Sequence, residues 1–194
     1  PFNIKWIKNF ENKISTETVL KLKKLRLEMK NVSSNENEVY SANNTLRVGN
    51  TKFFSGYKID NDVITIVSQG TNLVNSDTSY KGKINLNPFD LKLDINLNKI
   101  DINKFLDTNS IFFELLKSNI LFSRNLSAII SITSKNIIKN KLFNFIKVLI
   151  NFNNGKINFD NSYFESQKIG LLKLYSSSLE FVNEELVFKG RFNF

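Results

Sequence analysis

The sequence predicts a mainly β fold, an antiparallel meander of about ten strands forming a curved, groove-like or partly rolled sheet, with one or two short helices. Three observations carry this reading. Residues Phe89–Asn98 alternate without a fault: Phe89, Leu91, Leu93, Ile95 and Leu97 are apolar, while Asp90, Lys92, Asp94, Asn96 and Asn98 are polar. Such a run makes a strand with one dry and one wet face, whereas a helix would scatter the same residues around its surface. Turn signals separate the apolar runs. The strongest is Asn154-Gly155, a pair suited to a type I′ turn in which both central residues take positive φ. Finally, no segment has the roughly 30-residue βαβ spacing of a doubly wound fold.

Taken in order, residues 1–17 read as a short helix or connector, and 18–194 as a single β-rich domain. Ile4, Ile7, Phe10 and Ile14 are spaced for one helical face, with Trp6 able to join it. This helix would pack on a sheet edge or, alternatively, lie on a membrane surface. From Thr18 the period becomes two, and Leu25, Leu27 and Met29 share a face. Tyr40–Val48 and Thr51–Ile59 read as successive strands. Asp60-Asn61 is a tight turn, and Val63–Val67 is a β-branched return strand. Thr71–Thr78 is a polar loop, and Lys83–Leu86 starts a strand that Pro88 interrupts. Beyond Lys99 the apolar positions move to Ile100 and Ile102, which predicts a bulge or turn. Thr108–Ser118 has helical spacing, capped by Asp107 or Thr108. Leu126, Ala128, Ile130 and Ile132 return to period two. Lys141–Phe159 reads as a hairpin around Asn154-Gly155, with Ile146, Val148, Ile150 and Phe152 on one face. Leu171–Val182 and Leu186–Phe194 form a last hairpin around Asn183-Glu184, in which Leu186, Phe188, Phe192 and Phe194 share a face.

The composition excludes several chemistries. The 194 residues contain no His and no Cys, so Ser-His-Asp and Cys-His catalysis and every imidazole or thiolate metal site are absent from this chain. There is no phosphate-cradling glycine loop and no G-x-S-x-G. Asp90 and Asp94 share a strand face but stand about 13 Å apart at 3.3 Å per residue. Glycosidase carboxylate pairs lie closer, at about 5–9.5 Å. Asp60, Asp62, Glu184 and Glu185 fall in turns, where such residues are ordinary. The expectation is a protein with no enzymatic activity, no cofactor and no metal. The net charge of +9 comes from 23 Lys and only 4 Arg. Together with 30 Asn, 21 Ile and 18 Phe, this is the bias of A/T-rich codons. Nucleic-acid readers favour Arg, whose planar fork matches phosphates and guanine edges, so no nucleic-acid partner is expected. The chain opens at Pro1 without a signal-peptide pattern and reads as a piece of a longer protein.

What remains is apolar strand face. About ten strands with four or five apolar residues each offer more dry surface than two short helices cover. The sheet must roll up, pair with another segment or hold something apolar.

The run from Tyr80 to Phe89 (Tyr-Lys-Gly-Lys-Ile-Asn-Leu-Asn-Pro-Phe) leads into Asp-Leu-Lys-Leu-Asp-Ile-Asn-Leu-Asn-Lys-Ile-Asp-Ile. With it go Leu126–Phe159, which ends in Asn-Gly-Lys-Ile-Asn-Phe, then Gly170-Leu-Leu-Lys-Leu, Leu179-Glu-Phe and Leu186-Val-Phe-Lys-Gly-Arg-Phe. This pattern of a Gly-led strand, a Pro-Phe step and a long alternating strand resembles the AsmA-like proteins of Gram-negative cell envelopes. It covers roughly residues 80–194, and 18–79 more loosely. The resemblance implies a periplasmic protein anchored in the inner membrane through segments outside this sequence. Its β-rich body would be an apolar groove implicated in phospholipid transport between the membranes and in outer-membrane assembly. Phospholipid acyl chains are then the implied partner. The residues implied to line the groove are Phe89, Leu91, Leu93, Ile95, Leu97, Ile146, Val148, Ile150, Phe152, Leu186, Phe188 and Phe192. The family offers no catalytic residues to carry over. The alternative is a structural or scaffolding envelope domain with a packed core that binds protein partners. A transmembrane β-barrel is a third reading, weakened by one Trp and five Tyr for two aromatic girdles.

Overall fold

A computed structural model describes residues 2–8, 14–22, 27–36, 39–48, 51–68, 78–101, 116, 120–139, 141–182 and 185–193. The protein is mainly β, with fourteen strands among the described residues and a single 3-10 turn at Ile120–Phe122. It falls into two compact units, residues 1–87 and 88–194.

The first unit is an antiparallel meander in chain order: β1 (Phe2–Lys8), β2 (Ile14–Leu22), β3 (Leu27–Glu36), β4 (Val39–Val48), β5 (Thr51–Asp60), β6 (Val63–Ser68) and β7 (Thr78–Leu86). The helix expected within residues 1–17 is a strand instead. Phe2, Ile4 and Trp6 also alternate with Asn3 and Lys5, and β2 pairs with all of Phe2–Lys8, offering the β-branched Val19, Thr18, Thr16 and Ile14 among its partners. A partner that satisfies a whole ladder outweighs the weak helical spacing. The turn after β5 is Asn61-Asp62, one residue later than expected, with Asn61 at φ 50°. Asparagine tolerates this left-handed conformation better than most residues.

One row of the first unit's inner face runs Ser33, Ala42, Tyr57, Ile66, Gly82 across β3 to β7. Ser33, Ala42 and Ser55 are buried. The Tyr40 hydroxyl donates to Ser33 Oγ at 2.7 Å, and the Tyr80 hydroxyl donates to the Phe54 carbonyl at 3.0 Å. The other face is wet and charged, carrying the ion pairs Lys21–Glu28 and Lys30–Glu17, both at 3.1 Å.

The second unit contains β8 (Phe89–Leu97), β9 (Ala128–Ser134), β10 (Phe145–Asn153), β11 (Lys156–Asn158), β12 (Tyr163–Ser166), β13 (Gly170–Val182) and β14 (Glu185–Asn193). Here the strict meander expectation fails at one step, because β8 and β9 pair in parallel, Leu91 opposite Ala128 through Leu97 opposite Ser134. A parallel pair needs a crossover of a dozen or more residues, and the long connection from Asn98 to Ser127 supplies it. The remaining pairs of the unit are antiparallel. The helix expected at Thr108–Ser118 and the polar loop at Thr71–Thr78 lie outside the described residues, except for Leu116, which is helical and buried, and Thr78, which opens β7.

The break expected near Lys99 is present. Strand β8 ends at Leu97, and the parallel ladder resumes as a single bridge from Ile100 to Ile137. The Asn136 carboxamide spans the gap, donating to the Asn98 carbonyl at 2.9 Å.

Strands β11 and β12 together fill one position between β10 and β13. Both pair with β10, and both pair with β13. The turn before β11 is the expected Asn154-Gly155, at φ 51° and 72°. Between β11 and β12 the regular ladder is broken: the Asn161 N–H donates to the Leu174 carbonyl and the Leu174 N–H to the Ser162 carbonyl, and side chains supply the other bonds. Ser162 Oγ accepts from the Leu149 N–H at 2.9 Å and donates to the Leu149 carbonyl at 3.3 Å. The Asp160 carboxylate accepts from the Ser177 N–H at 2.7 Å and from its hydroxyl at 2.8 Å, while Ser177 Oγ accepts from the Phe159 N–H at 3.0 Å. Opposite this splice β13 carries its own irregularity, with Ser176 at φ 48° and a register shift between Tyr175 and Ser178. Buried backbone groups must find partners, and here three polar side chains provide them.

Candidate functional site

The register fixes which residues share a face. Starting from β8, Leu91, Leu93, Ile95 and Leu97 stand opposite Ala128, Ile130, Ile132 and Ser134 of β9. Those in turn face Phe152, Ile150, Val148 and Ile146 of β10. Phe152 is paired with Ile157, and Ile157 with Leu179. On β14, Phe188 stands opposite Leu179 and Phe192 opposite Leu174. The second unit therefore carries one apolar face running through every strand from β8 to β14. Period-two alternation, repeated in register on neighbouring strands, is what assembles it.

Burial along this face is uneven. Its centre is packed: Leu116, Ala128, Ile132, Ile150, Phe152, Ile157 and Leu179 form a buried cluster. Leu116, Leu121, Phe122 and Leu126 belong to the crossover between β8 and β9, so the chain covers the middle of its own face. Of the residues expected to line a groove, Ile146, Ile150 and Phe152 are buried, and Leu91, Ile95, Leu97, Val148 and Leu186 pack partly buried against the cluster. Leu93 is half-buried. Phe89 opens β8 at 42% exposed, and Phe188 and Phe192 are each 48% exposed on β14. The face is thus open at Phe89, where β8 begins, and along β14 at Phe188 and Phe192.

The β14 end has a particular construction. The Phe159 and Phe188 rings meet edge to face at 5.7 Å. Phe188 also lies over Gly190: a Cβ placed there would come within 3.1 Å of the Phe188 ring and of Leu174. The glycine leaves the space into which the ring leans, an arrangement that shields an otherwise bare stretch of strand.

The residues expected to line the groove left out Ile157, Leu179, Phe159 and Leu116, although the return strand after Asn154-Gly155 reads with Ile157 and Phe159 on one face. Leu116 reaches the core only through the crossover.

The opposite face is polar. The Ser127 hydroxyl donates to Asp90 at 2.9 Å, and the Thr133 hydroxyl donates to the Asn96 carboxamide oxygen. Glu180 accepts from the Ser178 hydroxyl at 2.7 Å and from Lys189 Nζ at 3.2 Å. These two bonds, that of Ser178 first, hold its carboxyl below the usual value. In the first unit burial, and then the neighbouring Tyr40, push the Tyr57 phenol above its ordinary 10.0.

Among the described residues no cluster of three or more Asp and Glu is placed to hold a metal, and no helix is long and apolar enough to cross a membrane. The chain matches no family model, no curated protein and no solved structure.

Proposed function

We propose that the second unit binds lipid acyl chains on the open, β14 end of its apolar face, as a non-enzymatic segment of an AsmA-like envelope protein engaged in phospholipid transport or outer-membrane assembly. The observation that carries this is the pairing of a continuous apolar face with two half-exposed phenylalanines, Phe188 and Phe192, at its β14 end. Burying an exposed half of such a ring against an acyl chain is favourable at about 25 cal/mol per Å². The sequence pattern at residues 80–194 supports the family reading, and a periplasmic, membrane-anchored setting follows from it. Native mass spectrometry of the purified chain, with extraction of co-purified lipids, tests the binding. Phospholipid carried through purification agrees with it; lipid-free protein that also takes up none on incubation with phospholipid overturns it.

A second reading has its own observation. The crossover residues Leu116, Leu121 and Phe122 already fill the centre of the face, as in a scaffolding domain with a packed core. On that reading Phe188 and Phe192 meet a protein partner, and acyl chains do not compete for them.

A further inference from the structure

The polar face of the second unit carries a basic patch that the acyl-chain reading does not use. The register sets Lys147, Tyr163 and Lys173 side by side on β10, β12 and β13. With neighbouring strands about 4.8 Å apart, the two lysine backbones flank the tyrosine at a separation of about 10 Å. On the same face Leu171 stands opposite Glu165, and Tyr175 opposite Arg191. Lys147, Asn161, Tyr163, Glu165, Leu171 and Lys173 line a shallow, open depression.

Two properties of this patch bear on what it can meet. Among the described residues Lys147, Lys168, Lys173 and Arg191 form no ion pair, which leaves four cations of one patch available to anions; Lys92, Lys139 and Lys189 each have a carboxylate. The apolar groups beside these cations are also presented to solvent. Leu171 is 52% and Tyr175 41% exposed, and Ile169, in the adjoining turn, is 45% exposed. Tyr163 is held in place by stacking on Phe145 at 5.7 Å.

We propose that this face docks on an anionic membrane surface. Unpaired lysines meet lipid phosphates, aliphatic tips leave water for the headgroup boundary, and tyrosines sit well at that level. Single-stranded nucleic acid would use the same cations and could stack on Tyr175, but the more exposed apolar groups, Leu171 and Ile169, are aliphatic and offer it nothing. The patch lies on the face opposite Phe188 and Phe192, so this inference stands independently of acyl binding.

The test is sedimentation of the whole chain with vesicles of phosphatidylcholine alone, and of phosphatidylcholine with about one third phosphatidylglycerol. Binding is expected to the anionic vesicles only. The K147Q/K173Q variant should bind about fivefold more weakly for each lysine removed, roughly 25-fold for the pair. Leu171→Ser should also weaken binding, which a purely electrostatic contact would not. Lys92 and Lys139, each paired with a carboxylate, supply the control, and K92Q/K139Q should bind as the wild type does. Absence of binding to anionic vesicles, equal binding to neutral ones, or an equal loss in the control pair would overturn the proposal. So would tighter binding to a single-stranded oligonucleotide that the K147Q/K173Q variant loses.

Discussion

Removing the Asp160 carboxylate should cost the second unit far more than a surface substitution does. Asp160 accepts two hydrogen bonds from Ser177, at 2.7 Å from its N–H and 2.8 Å from its hydroxyl, and Ser177 is only 3% exposed. A hydrogen bond to a charged acceptor contributes about 1.5–3 kcal/mol net, and a buried donor left without a partner costs about 1–3 kcal/mol. Asp160→Ala therefore lowers unfolding free energy by about 2–4 kcal/mol. Ser177→Ala removes the same hydroxyl and orphans the Phe159 N–H, a loss of about 1–3 kcal/mol. The two changes break one shared network, so the double variant should lose at least about 1 kcal/mol less than the sum of the single losses. Ser123→Ala, on an exposed residue whose Oγ accepts from the Asn125 N–H at 3.3 Å, is the control and should stay within about 0.5 kcal/mol. Urea denaturation followed by circular dichroism reads all four. An Asp160→Ala loss no larger than the control's, or strict additivity, would refute the idea that these side chains stand in for the missing ladder between β11 and β12.

Three further outcomes follow from the same structure. Ile157, 0% exposed, should lose about 2–5 kcal/mol on truncation to alanine, while exposed Asn153→Ala stays within about 0.5 kcal/mol in the same denaturation experiment. Gly155→Ala forces an L side chain to φ 72° and sets its Cβ 2.8 Å from the Phe122 carbonyl oxygen, so it should destabilise by more than the 1–2 kcal/mol or so that left-handed backbone alone costs. Because Tyr57 titrates above its unfolded 10.0, the folded chain keeps a proton that the unfolded chain has released. Stability should therefore be unaffected by this group below that pH and fall as pH rises from 10.0 through the folded value; Tyr57→Phe should flatten the fall in pH-dependent melts.

Much of this architecture was legible locally. The alternation of Phe89–Asn98 gave β8 and its dry face directly, since period two leaves little choice of orientation. The Asn154-Gly155 pair gave a turn with both φ positive for the reason glycine and asparagine are used there. The parallel pairing of β8 with β9 was not legible, because the partner of a strand depends on the path of the connection and not on the strand's own residues. Residues 2–8 carried both a helical and a strand pattern, and only the presence of β2 decides between them. The splice was hidden for a similar reason: Ser162 and Ser177 act on residues 13 and 18 positions away, so no short motif marks them. The candidate site divided the same way. Its strand faces were readable, whereas the crossover that covers their centre with Leu116 was not.

Titration of the purified chain with a fluorescent acyl probe tests the central claim most directly, with the Phe188→Asp/Phe192→Asp variant run alongside. Both rings are 48% exposed, so the variant keeps the buried cluster that holds the unit together. The account predicts saturable uptake by the wild-type chain and its loss in the variant, with both melting as folded proteins. Equal uptake by the two, or none by the wild type, would contradict it.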